Sequence, residues 1–175
     1  MVCRIANRLW MPLNGAMKTE NNDYKIPAVR QLLADLLASD TVAMLSTVSP
    51  EGRPHSTWMG TMGLLAKCEL LTITSPDSEK VRNIQANPHV EWLFTTEDQT
   101  DLLYLTGEAT VLDEPAAIKT AWKNVNNLQR AFFLKYFNSG IGIAVVKTRI
   151  ATVTHCVPMD NSKDDYDAAD AWPED

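Results

Sequence analysis

Apolar residues recur at two different spacings along the chain, and each spacing predicts a different element. Between Ile26 and Leu37 they recur every three or four positions, which predicts an amphipathic helix that ends near Ser39. Shorter stretches are rich in β-branched residues and are bounded by Gly, Pro, Asn or Asp, as strands are. The strands predicted in this way are 41–48, 55–63, 69–74, 89–96, 101–112 and 141–156.

Two further helices are predicted between these strands. Ser78 or Asp77 is a suitable N-cap for a short helix over 79–86, and the Asn-Pro pair that follows would end it. A longer helix is predicted to begin after an acidic stretch at 113–115, which the helix dipole favours, and to extend to about residue 137.

The order of these elements favours a mainly β fold, a six-stranded antiparallel barrel with peripheral helices, because most strands are joined by hairpins. The barrel is predicted to occupy residues 23–157. Residues 1–22 are predicted to be a disordered leader, and residues 158–175 a solvated acidic tail. A small barrel fills its interior with side chains, so a ligand would lie on its outside or between subunits.

Most of the net charge of −6 comes from one end of the chain. Seven of the 22 acidic residues but only one of the 16 basic residues follow Met159, so the rest of the chain is neutral. A neutral body has no basic face to attract nucleic acid, and no apolar run is long enough to span a bilayer. The first residues lack the apolar core of a signal peptide, and three widely spaced cysteines indicate neither a disulfide framework nor a metal site. We therefore expect a cytoplasmic protein with no nucleic-acid or membrane partner and no bound metal.

The strongest chemical signal is the stretch TITSPDSEKVRNI at residues 72–84. A strand ends there in hydroxyl residues and leads into a helix start, whose free N–H groups favour anions. Ser78, Lys80 and Arg82 lie around this start, and a lysine can add a point charge for phosphate. The stretch suits a phosphate group, and a capped surface helix with solvated charges is the alternative.

A second signal lies on the strand that follows the SPEGRP turn. Ser56, Thr57, Trp58 and Met59 expose backbone and small side chains there, which would let a flat heteroaromatic ligand approach the sheet. A strand half-buried against another subunit would show the same pattern. The residues themselves leave both interpretations open.

Taken together, these motifs resemble the pyridoxamine 5′-phosphate oxidase-like superfamily of FMN-binding split barrels, and within it the short general-stress-protein branch. The resemblance depends on the S-P-E-G-x-P turn, a strand ending in T-S-P-x-S-x-K, a helix ending in N-P-x-V and the strand LTGEATVL. It extends from about residue 26 to about residue 153. It implies a homodimer with an FMN site at the interface, and a flavin-dependent oxidoreductase that acts on a small molecule.

The resemblance also implies which residues hold the cofactor. The flavin ring would be lined by His55, Ser56, Thr57, Trp58 and Met59. The ribityl phosphate would be held by Thr74, Ser75, Ser78 and Lys80. Hydroxyl groups on the second strand would then bond the flavin heteroatoms, and their small size would let the ring approach. No side chain is identified as catalytic.

The chain departs from the true oxidases of that superfamily in its charges. Residues 57–62 lack the arginine and lysine of their second strand, and Glu79 stands beside Lys80 where they have an arginine. Their C-terminal substrate residues are not recognisable in the acidic tail. We therefore expect no oxidation of pyridoxamine phosphate. Two alternatives to an enzyme remain: a non-catalytic flavin-binding stress protein, and a flavin-free split barrel that binds haem or a deazaflavin.

Overall fold

The computed structural model describes residues 22–39, 42–60, 62–65, 68–124 and 142–171. The predicted leader, apart from its last residue, and the second half of the predicted long helix lie outside these ranges. The helices described are α1 (Asn22–Ala38), α2 (Glu79–Ala86), α3 (Pro115–Asn124) and α4 (Ala168–Ala171). The strands described are β1 (Ala43–Val48), β2 (Pro54–Met59), β3 (Met62–Leu65), β4 (Glu69–Thr74), β5 (His89–Thr95), β6 (Leu102–Leu112), β7 (Ala144–Val157) and β8 (Ser162–Asp167).

All eight described strands belong to one antiparallel sheet. Seven of the strands follow the order β2-β1-β5-β6-β7-β4-β3, and β8 pairs with β7 outside this order. The long strand β7 pairs with β6 along most of its length, while its other edge pairs first with β4 and then with β8. The mainly β, antiparallel architecture with peripheral helices confirms the predicted fold class. None of the helices in the described ranges is both long and apolar enough to cross a bilayer.

Two strands were not predicted as such. The segment predicted as one strand over 55–63 is two strands, β2 and β3, which lie at opposite ends of the sheet order. The predicted solvated tail contains β8, so the prediction of a purely solvated segment is wrong there. In β8 the aspartates are exposed or half-exposed, whereas Tyr166 is only 3% exposed. Because side chains alternate across a strand, an aspartate-rich sequence can still present one large apolar group to the core.

The interior is built from side chains that face one another across the sheet. One continuous row joins Leu45, Trp92, Leu105, Val153 and Tyr166 on five neighbouring strands. The first four of these are fully buried. Helix α1 adds Leu33 and its neighbours to the same apolar cluster. This row therefore marks the inner face of the sheet, and the alternating positions mark its outer face.

Gly107 is required where β6 and β7 come closest. The pairing of β6 with β7 shifts register between Thr106 and Gly107. A Cβ atom at Gly107 would clash with the backbone oxygen of Arg149, and no side-chain rotation can relieve such a clash. The glycine of the LTGEATVL motif thus has a structural role at this irregularity.

Candidate functional site

Strand β2 presents its predicted ring-lining residues on two different faces. Ser56 and Trp58 lie opposite Ser46 and Met44 of β1 on the outer face, and the Ser46 and Ser56 hydroxyl oxygens are 2.9 Å apart. Trp58 is 65% exposed there. His55, Thr57 and Met59 alternate with them and lie opposite the buried residues of β1. A flat ligand on one face can therefore contact only one of these two sets of side chains.

Met59 is the member of the predicted set whose side chain offers no ligand surface. It is 4% exposed and belongs to the main apolar cluster. The side chain of Met59 therefore faces the interior, and only its backbone is left to line a ring as predicted. Among the described strands, β2 pairs only with β1. The other edge of β2 therefore forms no backbone hydrogen bonds with a described strand.

The four residues predicted to hold a phosphate all lie at the turn from β4 into α2. Thr74 ends β4 and is buried, and Ser75 and Ser78 are half-buried in the turn. Ser78 occupies the predicted N-cap position, but its side chain makes no capping hydrogen bond. Its hydroxyl oxygen is buried and has no hydrogen-bond partner in the described structure. A hydroxyl left in this state is an exception, since buried polar groups are normally satisfied.

The side chain of Lys80 extends back toward the end of β4. Its ammonium group donates a hydrogen bond to the Thr74 hydroxyl oxygen at 3.2 Å. Burial lowers the pKa of Lys80 from its ordinary value, because the charged form is desolvated. A bound anion would favour the charged form, so the site gains interaction energy when an anion enters.

The two sequence signals meet through a contact between β2 and α2. His55 Nε2 lies 3.3 Å from Glu79 Oε2 at the first residue of the helix. The other ring nitrogen, Nδ1, is buried without a hydrogen-bond partner in the described structure. Residues predicted to hold the ring and residues predicted to hold the phosphate are thus neighbours in the fold.

A buried hydrogen-bond chain holds this junction together, and the sequence analysis missed it. Asn83, which is 2% exposed, donates through Nδ2 to the Thr47 hydroxyl oxygen at 3.0 Å. Thr47 in turn donates to the backbone oxygen of His55 at 3.3 Å. Asn83 lies between the buried residues Val81 and Ile84 on α2. An amide at a position that helical spacing assigns to the buried face is the signal that could have identified it.

A broad cleft of about 1110 Å³ lies beside this junction. It is lined mainly by parts of β1, including Ser46, and of β5, β6 and β7, with further contributions from Cys68, the first residue of β2, the last residue of β8 and the start of α4. None of the nine predicted cofactor residues lines it, although Ser46 bonds Ser56 of β2. The predicted site and the cleft are therefore adjacent but distinct surfaces.

The remaining histidines are paired with carboxylates away from the β2–α2 junction. His155 Nε2 lies 2.7 Å from Asp101 Oδ1, and His89 Nδ1 lies 3.9 Å from Glu108 Oε1 in an exposed position. The described residues contain no group of three or more His, Cys, Asp or Glu side chains arranged to hold a metal ion.

Solved structures of other proteins share the fold described above. A solved structure of a protein related to general stress protein 26 of B. subtilis (pyridoxinephosphate oxidase family), from Clostridium acetobutylicum, superposes with a TM-score of 0.67 at 12% identity. The match covers 84% of this chain and 96% of that one. General Stress Protein 26 from Bacillus anthracis str. Sterne gives 0.57 at 21% identity, covering 79% and 98%. A heme binding protein from Mycobacterium smegmatis gives 0.61 at 21% identity, covering 78% of this chain and 56% of that one.

The family is identified by a match of the sequence to a family model, and not by a match to an individual curated protein. A search of curated protein sequences finds no match. The family model described as pyridoxamine 5′-phosphate oxidase matches residues 29–154, which are most of the 175 residues and include all nine predicted cofactor residues. This chain therefore belongs to the pyridoxamine 5′-phosphate oxidase family.

Proposed function

We propose that this chain binds FMN at the β2–α2 junction and acts as a flavin-dependent oxidoreductase on a small molecule. The observation that carries the proposal is the contact of His55 on β2 with Glu79 at the start of α2, at 3.3 Å. This contact places β2, which suits a flat ring, next to the start of α2, which suits a phosphate. Membership of the pyridoxamine 5′-phosphate oxidase family supports the same cofactor.

Three groups at the junction fit a phosphate. The Ser78 hydroxyl is buried without a hydrogen-bond partner in the described structure, and it can donate to a phosphate oxygen. Among the described residues, the hydrogen-bond partner of the Lys80 ammonium group is the neutral Thr74 hydroxyl, and the ammonium group is partly desolvated. The backbone N–H groups of Glu79 and Lys80, which precede the first hydrogen bond of α2, complete the set. Glu79, the first residue of α2, carries a charge that opposes a phosphate.

The chemistry of such a protein comes mainly from the cofactor. Bound flavin supplies hydride acceptance and donation, so the chain needs to bind and orient the ring and to limit access of water. On β2, Thr57 offers a hydroxyl group to a ring on the face that carries His55, whereas Ser56 offers one to a ring on the outer face. His55 offers an unpartnered ring nitrogen from the face that α2 covers.

We further propose that two copies of the chain pair through the outer face of the sheet and cover the flavin between them. A row of large side chains crosses four strands there: Trp58, Met44, Leu93 and Tyr104 lie opposite one another in register. All four are exposed or half-exposed in the single chain. An apolar stripe of this kind usually marks an interaction surface, and two-fold pairing is the commonest way to cover it.

A flavin-free split barrel is the second candidate function. The solved heme binding protein from Mycobacterium smegmatis shares the fold. The carboxylate of Glu79 lies at the start of α2, where its negative charge would disfavour a bound phosphate. A non-catalytic flavin-binding protein would share the FMN site and differ only in lacking turnover.

Absorbance spectra and flavin titrations of the purified protein separate these candidates. We expect flavin bands, quenching of FMN fluorescence at about one FMN per chain, and weaker binding of FAD. A haem spectrum, or no quenching at micromolar FMN, would overturn the proposal. Turnover with a reduced nicotinamide cofactor separates an enzyme from a flavin-binding protein, and pyridoxamine phosphate is expected not to be oxidised.

Light scattering tests the pairing of two chains. Trp58→Glu should convert the dimer to monomers and release the flavin, because it places a charge in the apolar row. Met159→Glu is the matched control, since Met159 is also a large exposed side chain, at 86%, but lies outside that row. A wild-type protein that stays monomeric while it keeps its FMN would rule out the shared site.

A further inference from the structure

Glu79 is a negative group placed at the site that the proposed function assigns to a phosphate. It is the first residue of α2, next to Ser78 and Lys80. Its carboxylate does not extend into solvent alone, because Oε2 lies 3.3 Å from His55 Nε2. The contact therefore directs the carboxylate toward β2 and across the start of the helix.

The charges around this helix start nearly cancel. The turn and the first part of α2 carry two acidic residues, Asp77 and Glu79, and two basic residues, Lys80 and Arg82. Asp77 and Arg82 are exposed and form no ion pair with the described residues. Lys80 is partly buried, and Glu79 contacts a predicted site residue. A phosphate monoester adds between about −1.5 and −2 charges to this neutral group.

Two buried polar atoms show that the junction has unused hydrogen-bonding capacity. The Ser78 hydroxyl oxygen and His55 Nδ1 are both buried and have no partner in the described structure. Glu79 already occupies the other nitrogen of His55. A phosphate that bonds Ser78 and Lys80 must therefore either displace the Glu79 carboxylate or bind against its repulsion.

We propose that Glu79 is a built-in competitor of the phosphate, which makes the bound flavin exchangeable rather than permanently held. This inference rests on the proposed function, because it assumes that the anion at the junction is the phosphate of FMN. Glu79 acts here as a residue that sets affinity and exchange rate. The flavin then behaves as a ligand that enters and leaves the protein.

The test compares FMN and riboflavin binding to the wild-type protein, Glu79→Gln and Asp77→Asn. Glu79→Gln should tighten FMN about tenfold, or about 1.4 kcal/mol, mainly through slower dissociation, and should change riboflavin less than about twofold because riboflavin has no phosphate. Asp77→Asn is the matched control: it removes the same charge from the same turn without touching His55, and should change neither ligand appreciably. Circular dichroism checks folding, and Glu79→Ala replaces Glu79→Gln if the latter is unfolded.

The possible outcomes separate a failure of the role proposed for Glu79 from a failure of the proposed function. If both flavins bind but Glu79→Gln leaves FMN affinity unchanged, or Asp77→Asn has an equal effect, the role of Glu79 is overturned while the proposed function stands. If no flavin binds to any variant, the proposed function fails. Thermal stabilisation by inorganic phosphate then decides the inference: a larger shift for Glu79→Gln than for both other proteins supports competition at the anion site, and equal shifts overturn it.

Discussion

Two helices, α2 and α3, pack against the sheet, and their contacts with it have opposite chemistry. At the α3 junction, Ala121 packs with Leu71, Ile73 and Val145, and all four side chains are buried and apolar. At the α2 junction, apolar contacts are interrupted by the buried Asn83–Thr47 hydrogen bond and by the His55–Glu79 pair.

This difference separates a junction whose contacts favour stability from the junction that the proposed function assigns to a cofactor. Apolar burial contributes about 25 cal/mol for each Å² removed from water. Buried polar groups contribute little net stability even when they are paired, and they cost stability when they are not. The unpartnered atoms of His55 and Ser78 leave hydrogen-bonding capacity unused at the α2 junction, and nothing comparable is found among the described residues of the α3 junction.

The largest expected effect is the loss of apolar packing at the α3 junction. Leu71→Ala should lower the free energy of unfolding by about 3 kcal/mol, because it leaves a cavity at a side chain that is 3% exposed. FMN affinity of the folded protein should not change. Denaturant unfolding measures the loss, and Leu71→Met, which keeps the volume, should lose much less. A loss below about 1 kcal/mol would contradict the structural role of this junction.

The next effect is on binding at the α2 junction. Lys80→Met should weaken FMN about 10- to 100-fold, because it removes a charge-assisted bond worth roughly 1.5–3 kcal/mol. Riboflavin should lose much less affinity, since it has no phosphate for the ammonium group to bind. Fluorescence titration of both ligands is the measurement. Equal losses would show that Lys80 acts on the structure and not on the phosphate.

A smaller effect is expected for the buried hydrogen bond of the α2 junction. Asn83→Ala should lower the free energy of unfolding by about 1–2 kcal/mol, because it removes a satisfied buried amide and leaves the Thr47 hydroxyl without its donor. A double-mutant cycle with Thr47→Val should give a coupling energy of about 1 kcal/mol. Fully additive losses would show that the two side chains do not interact.

Ser78→Ala is the matched control for Asn83→Ala in the same junction. The Ser78 hydroxyl has no partner in the described structure, so its removal should change the free energy of unfolding by less than about 0.5 kcal/mol. If that hydroxyl serves a ligand, FMN affinity should fall about fivefold all the same. A large loss of stability would show that the hydroxyl is engaged within the protein.

The smallest expected effect is a dependence of stability on pH that comes from Lys80. Burial lowers the pKa of Lys80 in the folded state below 10.5, so between the two values the unfolded chain binds more protons. The free energy of unfolding should therefore rise with pH as the pH approaches 10.5 from below. Lys80→Met should lack this rise. The comparison removes the effect of Tyr166, whose raised pKa, caused mainly by burial, makes stability fall above pH 10 in both proteins. Identical pH profiles would contradict a desolvated Lys80.

Helix α2 shows what could be predicted from local sequence. Its predicted range, 79–86, is that of the structure, because a Ser-Pro turn precedes it and an Asn-Pro pair ends it. β4 was predicted equally well, because its sequence ELLTIT is rich in aliphatic and β-branched residues between turn residues, as strands are. The strand β8 was missed for the opposite reason: its aspartates indicate solvent, and it forms because the second half of β7 has a free edge that it can pair with.

By itself, then, the sequence determined the mainly β class, the family and the stretch that suits a phosphate, since these depend on neighbouring residues and on the order of motifs. Only the tertiary structure decided that β2 turns Ser56 and Trp58 to one face and His55 to the other. It alone also placed His55 beside Glu79. The physical reason is that pairing register and helix docking join residues that are distant along the chain, and their contacts depend on how the whole sheet packs rather than on any local pattern.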